Sequence, residues 1–330
     1  MLLEVKNLSI DFKTSRGQIQ ALRDVSFQLN QGESLGFVGE SGSGKSVTSL
    51  AIFDLLASNA VLRSGEILFQ GKDILKKSEA EKQKIRGNDI AMIFQDPMTS
   101  LNPSFTVEYQ IGEVLTEHLG LEKHQVRERT LELLSLVGIP DPQARLKTYP
   151  HELSGGMSQR VMIAMAIACN PKILIADEPT TALDVTIQKQ ILSLLGKLRK
   201  ELKMSLILVS HDLGVIAQNT DRIMVMYAGE VVETGDSKKV IQNPIHPYTE
   251  GLLKCLPALH VHEPAGFRLP TIAGIVPNLA ERPRGCQLAP RCQYRQAKCE
   301  ELAVPTTEIP SQNRSVRCFY PLQSSKEITT

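Results

Sequence analysis

The chain has 330 residues, enough for one large domain with an appendage or for two modest ones. Apolar residues make up 42% and charged residues 22%, as in ordinary globular proteins, and a net charge of +1 advertises neither nucleic acid nor an acidic membrane surface as a partner. Trp is absent and aromatics amount to 5%, which argues against a stacking platform for single strands.

The N-terminus, MLLEVKNLSIDF, lacks a basic segment followed by an apolar one, so no signal peptide is expected and the chain is placed in the cytoplasm. Partial alternation predicts strands over Leu2–Phe12 and Ala21–Leu29, and a third over Ser34–Val38. The third runs into a glycine-rich loop, after which Val47–Leu56 has helical character. Gly65–Phe69 reads as a strand before a turn at Gln70-Gly71-Lys72-Asp73. From about 104 to 170 the pattern becomes helical. Val126–Val137 places Val126, Leu133, Leu134 and Val137 near one face, and Gly138 with Pro140 and Pro142 stops it. The longest apolar run, Val161 to Cys169, reads as a buried helix, far short of the ~18–20 residues that span a bilayer. Two buried strands, Lys172–Ala176 and Ser205–Val209, flank an amphipathic helix over Thr186–Leu202. Strands alternating with helices imply an α/β fold with a mostly parallel sheet, into which 104–170 is a helical insertion. Prolines then recur at 244, 247, 257, 264, 270, 277, 283 and 290, so a boundary is expected near 240, between 1–240 and a loop-rich module over 241–330.

Gly39-Glu40-Ser41-Gly42-Ser43-Gly44-Lys45-Ser46 matches G-x-x-x-x-G-K-[ST], the phosphate loop. Glycines let successive N–H groups face an anion, and the helix that follows aims its positive end at the same point. Lys45 supplies a point charge for the β- and γ-phosphates, and the Ser46 hydroxyl can ligate Mg²⁺. Lys172–Ala176 leads to Asp177 and Glu178 at the ligand edge of such a sheet. There Asp177 can hold the Mg²⁺ shell and Glu178 can accept a proton from attacking water. His211, just past Ser205–Val209, emerges at the same kind of edge and can stabilise the γ-phosphate. Cys286, Cys292, Cys299 and Cys318 are spaced C-x₅-C-x₆-C-x₁₈-C, unlike the paired spacing of a zinc ribbon. Four thiolates hold either zinc or an iron–sulfur cluster, and spacing does not choose. A metal would compensate for a tail that has few apolar residues for a core. Cys169 and Cys255 read as ordinary buried small residues, and His260 with His262 as a plain pair in a polar loop.

Leu153-Ser154-Gly155-Gly156-Met157-Ser158-Gln159 resembles the signature loop of ATP-binding-cassette (ABC) ATPases. Gln95 matches that family's Q-loop, Ala182-Leu183-Asp184 its D-loop and His211 its switch histidine, while Phe12 stands where the family stacks an aromatic on adenine. Phe94–Pro103, FQDPMTSLNP, and Asn243–Thr249, NPIHPYT, narrow the likeness to dipeptide, oligopeptide and nickel importer ATPases. The resemblance implies a RecA-like P-loop nucleotide-binding domain with an antiparallel β subdomain and the helical insertion. It implies MgATP hydrolysis in a head-to-tail dimer, each ATP held between one phosphate loop and the partner's Ser154, Gly155 and Gly156. The helix opening at that signature offers a second anion site, which one nucleotide cannot fill from a single chain. The partners implied are a second, different ATPase chain, two transmembrane permease subunits and, indirectly, a substrate-binding protein, at the cytoplasmic face of a bacterial inner membrane. Peptide import leads, with nickel or another small solute as the alternative cargo and a regulatory ATPase behind both. The family's tail carries a [4Fe–4S] cluster, which the resemblance assigns to Cys286, Cys292, Cys299 and Cys318, with Zn²⁺ or unliganded thiols the alternatives. His246-Pro247-Tyr248 suggests no catalytic task and reads as a helix terminator.

Overall fold

The alternation at the start of the sequence is carried by β1 (Leu3–Thr14) and β2 (Gly17–Leu29), and the run SLGFV by β3 (Ser34–Val38), buried at every position. β4 begins at Ala60 rather than at the expected Gly65 and ends at Phe69. It pairs antiparallel with β1, from Leu3 opposite Phe69 to Phe12 opposite Ala60, in the order β2–β1–β4. Gln70 and Gly71, at φ 50° and 77°, make the expected turn into the two-residue β5 (Lys72–Asp73).

The computed structural model describes residues 1–15, 17–181, 183–256, 267–268 and 270–322. The D-loop position Ala182 and the pair His260 and His262 lie outside the described residues. Two units are distinguished, one of Met1–Leu2, Leu29–Glu33 and Asp73–Val209, the other of Leu3–Gln28, Ser34–Lys72 and Ser210 onward.

In the first unit β6 (Ile90–Ile93), β7 (Ile173–Asp177) and β8 (Ser205–Ser210) run parallel, with Ile90 beside Ile173 and Leu174 beside Leu206. Every residue of the three strands is buried, as parallel strands covered by helices on both faces must be. The IAMI run of β6 is too short to stand out as a strand in the sequence. Helices Val107–Leu119 and Lys123–Leu136 begin the helical stretch. Thr106 accepts the Tyr109 N–H at the first start, and Gly120 ends that helix at φ 64°. Gly138, at φ 74°, follows the second helix as expected, with Leu133, Leu134 and Val137 buried and Val126 only partly so. Helix Gly155–Ile167 buries Val161, Met162, Ile163, Ala164 and Ile167, and helix Val185–Glu201 buries its Ile191–Leu198 stripe. Pro97–Ser100 is a helical turn, in which the Asp96 carbonyl gathers the Thr99 and Ser100 hydroxyls and the Ser100 N–H.

In the second unit β9 (Arg222–Tyr227) runs parallel to β3 and turns into β10 (Glu230–Asp236). Ala228 and Gly229, at φ 47° and 80°, form the two-residue loop whose positive dihedrals match the twist of a hairpin. β11 (Thr307–Ile309) and β12 (Arg314–Val316) then extend the order to β11–β12–β10–β9–β3. The proline-rich tail therefore does not lie outside as loops alone: β12 pairs with β10 at Val316 opposite Glu233. Glu233 is fully buried and ion-paired with Arg314, and its two oxygens also accept the N–H groups of Ile245 and His246 at 3.2 and 2.9 Å. His246 opens a helix rather than terminating one. Its Nδ1 accepts the Tyr248 N–H at 3.1 Å, and Pro247 takes the first position of helix Pro247–Lys254. Burial drops the His246 pKa to about 3, which keeps the imidazole a neutral acceptor. Replacing Glu233 by Ala strips a buried guanidinium and two buried N–H groups of their acceptor. Urea unfolding of the full chain should show a loss of about 3–5 kcal/mol; a loss below about 1 kcal/mol would mean the pair does not hold the tail.

Candidate nucleotide site

The phosphate loop leaves the buried strand β3 and enters helix Lys45–Ile52. Two glycines are demanded by the geometry. A Cβ at Gly39 would stand 2.1 Å from the Met226 carbonyl oxygen of β9, and Gly44 caps the helix at φ 101° with no side chain to close its N-terminus. The Gly229 N–H donates to the Ser43 carbonyl at 2.9 Å, so the β9–β10 turn supports the loop from below. Lys45 is buried, and its ammonium donates to the carbonyls of Gly39 at 2.8 Å and Glu40 at 3.1 Å, with Ser43 Oγ at 3.5 Å. Those carbonyls orient the ammonium inside the loop's curve, where a polyphosphate competes for it. Ser41, Gly42 and Ser46 are exposed. In the same unit Phe12 lies part-buried on β1, and His211 is exposed just past Ser210.

The other unit carries the carboxylates. Asp177 is the buried last residue of β7. Glu178 follows at φ 45°, a left-handed conformation that costs a non-glycine residue about 1 kcal/mol or more. Its N–H donates to the Val209 carbonyl at 3.0 Å, which sustains that turn. The Glu178 carboxylate accepts Gln95 Nε2 at 3.2 Å and the Thr181 hydroxyl at 3.0 Å. Two positions 83 residues apart, both singled out in the sequence, are thus joined, and Thr181 is a contact the sequence did not suggest. Ser154 caps helix Gly155–Ile167 by accepting the Met157 N–H at 3.4 Å, and Ser154 and Gly155 are exposed at that helix's positive end. Asp184 caps the next helix, accepting the N–H groups of Thr186 and Ile187 at 3.0 Å each.

The four tail cysteines converge. Cys286, Cys292, Cys299 and Cys318 all line one cavity of about 350 Å³, its open mouth included, together with His246 and Phe319. None is in a disulfide. Burial, reinforced by the neighbouring thiols, pushes Cys286 up to about 12 and Cys318 up to about 11. No group of three or more His, Cys, Asp or Glu side chains that could hold a metal ion is found among the described residues. Cys169 and Cys255 are half-buried rather than buried, and burial lifts the Cys169 thiol to about 11. No helix among the described residues is long and apolar enough to cross a membrane.

Residues 22–181 match the ABC transporter family, and residues 232–299 match the C-terminal region of oligopeptide/dipeptide transporters. The dipeptide transport ATP-binding protein DppD of Haemophilus influenzae is 52% identical over 97% of this chain and 96% of its own. DppD of Escherichia coli is 49% identical over 98% of each chain. Among solved structures, the ATP-binding cassette MJ0796, a dimer in a post-hydrolysis state with ADP and Pi, aligns with a TM-score of 0.65 at 31% identity, covering 72% of this chain and 99% of its own. cbiO1 of Clostridium perfringens, part of the transporter complex cbiONQ, aligns at 0.63 and 30%, covering 73% and 90%. The chain has the ABC ATPase fold and belongs to the ATP-binding-cassette transporter family, among the dipeptide transport ATP-binding proteins.

Proposed function

We propose that this chain binds and hydrolyses ATP as an energising subunit of a membrane importer for dipeptides or short oligopeptides. The observation that carries the reading is the 52% identity with a dipeptide transport ATP-binding protein over nearly the whole of both chains. It acts from the cytoplasmic face of a bacterial inner membrane. Its partners are a second, different cassette subunit, two transmembrane permease subunits and, through them, a substrate-binding protein. Residues 1–240 form the nucleotide-binding domain, with the helical subdomain at about 104–170, and 241–330 form the tail module. The match of 232–299 to a transporter C-terminal region supports that division.

In this reading Phe12 stacks on adenine, and the N–H groups of Gly39–Ser46 enclose the phosphates with Lys45 as the point charge. Ser46, Asp177 and Gln95 are the residues that would hold Mg²⁺, which would supply charge neutralisation to the nucleotide. Glu178 takes the proton of the attacking water. Its bond to Gln95 lets a residue at the start of the FQDPMTSLNP loop feel whether that carboxylate is engaged, which is the coupling toward the permease. His211 donates to the γ-phosphate. Ser154, Gly155 and Gly156 present a helix N-terminus to the nucleotide of the partner cassette, and Asp184 fixes the adjoining helix start. Closure around ATP and opening after hydrolysis give the permease its two states. The dimeric state of the similar MJ0796 cassette supports that cycle.

In the tail, Cys286, Cys292, Cys299 and Cys318 would hold a [4Fe–4S] cluster. That all four cysteines line one cavity supports this reading. When bound, such a cluster supplies a four-point cross-link and an electron store.

Two experiments test these roles. Glu178→Gln should bind ATP as the parent does while phosphate release falls at least about 100-fold, the usual weight of a general base; parental turnover would remove Glu178 from that role. Anaerobic purification should give a coloured protein with about four iron and four sulfide per chain. One zinc and no colour would replace the cluster by a single-ion site.

A further inference from the structure

Two features of the tail have no part in the hydrolysis roles, namely the NPIHPYT motif and Arg291, and both reach the phosphate loop. The Tyr248 ring is 1% exposed, and its hydroxyl accepts the Glu40 N–H at 2.8 Å. Arg291, immediately before Cys292, has a side chain 3% exposed and meets the Glu40 carboxylate as a fork, at 2.7 and 3.1 Å. Its remaining donors go to the Tyr227 hydroxyl at 3.3 Å and to the carbonyls of Ala273 and Ile272 at 3.0 and 3.1 Å. A guanidinium has five N–H groups, and all are taken, so Arg291 is not a mobile anion ligand but a fixed part of the scaffold. The Tyr227 and Tyr248 rings pack at 4.7 Å, and the Arg291 guanidinium lies 5.8 Å from the Tyr227 ring centre.

Glu40 is the second residue of the phosphate loop. Its carbonyl accepts the Lys45 ammonium at 3.1 Å and the Ser43 N–H at 3.2 Å. With its N–H on Tyr248 and its carboxylate on Arg291, every polar group of Glu40 is held. The residues after it include Gly42 and Gly44, which are conformationally free and must be ordered before they can surround an anion. We propose that Arg291 and Tyr248 are positioning residues for ATP. By clamping Glu40 they hold the phosphate loop in its anion-binding curve, so that the cysteine-bearing tail sets nucleotide affinity. The proposal rests on the reading of Gly39–Ser46 as the ATP site, and it does not depend on what the cysteines hold.

The test uses the full chain, with equilibrium titration by a fluorescent ATP analogue and Mg²⁺, and steady-state ATP hydrolysis. Arg291→Ala should raise the Kd for nucleotide about tenfold, the scale of one charge-assisted fork. KM should rise in parallel while kcat at saturating ATP stays within about twofold, the signature of lost binding without lost chemistry. Arg291→Lys should recover part of the affinity, because it restores the charge without the fork. Glu40→Gln should weaken binding as Arg291→Ala does, and the double variant should be no weaker than Arg291→Ala alone, since both changes delete one contact. Unchanged Kd in Arg291→Ala, or additive losses in the double variant, would overturn the clamp. If Arg291→Ala fails to fold, Tyr248→Phe and Glu40→Gln decide, each removing one polar group: raised Kd in both supports the clamp, and parental Kd in both overturns it. A parental chain that binds no nucleotide refutes the ATP-site reading itself, whereas parental binding with unaffected variants refutes only the clamp.

Discussion

A carboxylate buried without water is stable only when its charge and lone pairs are fully answered, and Glu233 is answered from two directions. Arg314 supplies the opposite charge, and the N–H groups of Ile245 and His246 supply the remaining donors. That requirement ties the central strand β10 both to β12, near the end of the described tail, and to the start of helix Pro247–Lys254. Once Ile245 and His246 are pinned, His246 can cap the helix and Tyr248 is carried beneath the phosphate loop. The order of dependence runs from one buried charge to a strand pair, a helix start, and then the loop that cradles phosphate.

The same physics of orphan backbone groups recurs along the chain with different outcomes. Gly44 brings no side chain to its helix start, which leaves that terminus suited to an anion. Asp184 and Asp212 close their own helix starts with carboxylates, so those termini are satisfied internally. Ser154 lies between these cases, an exposed cap with a long 3.4 Å bond and two glycines behind it. Which helix end is reserved for a ligand thus follows from whether the chain supplies its own counter-charge.

The cysteine cavity shows the electrostatic converse. Burial, reinforced by neighbouring thiols, favours the protonated forms of Cys286 and Cys318, so their thiolates would gain stability beside a cationic centre. The pocket wall also includes His246, which burial holds neutral. Arg291 stands one residue before Cys292, with its charge directed to Glu40. The backbone that positions one of the thiols therefore also positions the fork under the phosphate loop.

Much of the fold and the family were legible in the residues, because they depend on local order. A glycine loop between a strand and a helix, an apolar strand ending in Asp177 and Glu178, and a serine–glycine–glycine helix start each declare their chemistry within a few positions. β6 and the β9–β10 hairpin were harder: the first is four residues long, and the second turns on Ala-Gly rather than on a strong turn pair. The tail's order was illegible for a deeper reason. Its prolines and scattered polar residues read as loop, and β12 exists because β10 offers an edge to pair with and Glu233 a charge to meet. The bond from Gln95 to Glu178 and the fork from Arg291 to Glu40 join positions 83 and 251 residues apart. No period or spacing encodes such meetings. The sequence by itself determined where the glycine loop, carboxylates and cysteines stand along the chain, whereas tertiary packing alone decided which of them touch, because a buried charge is stable only where packing brings it a partner.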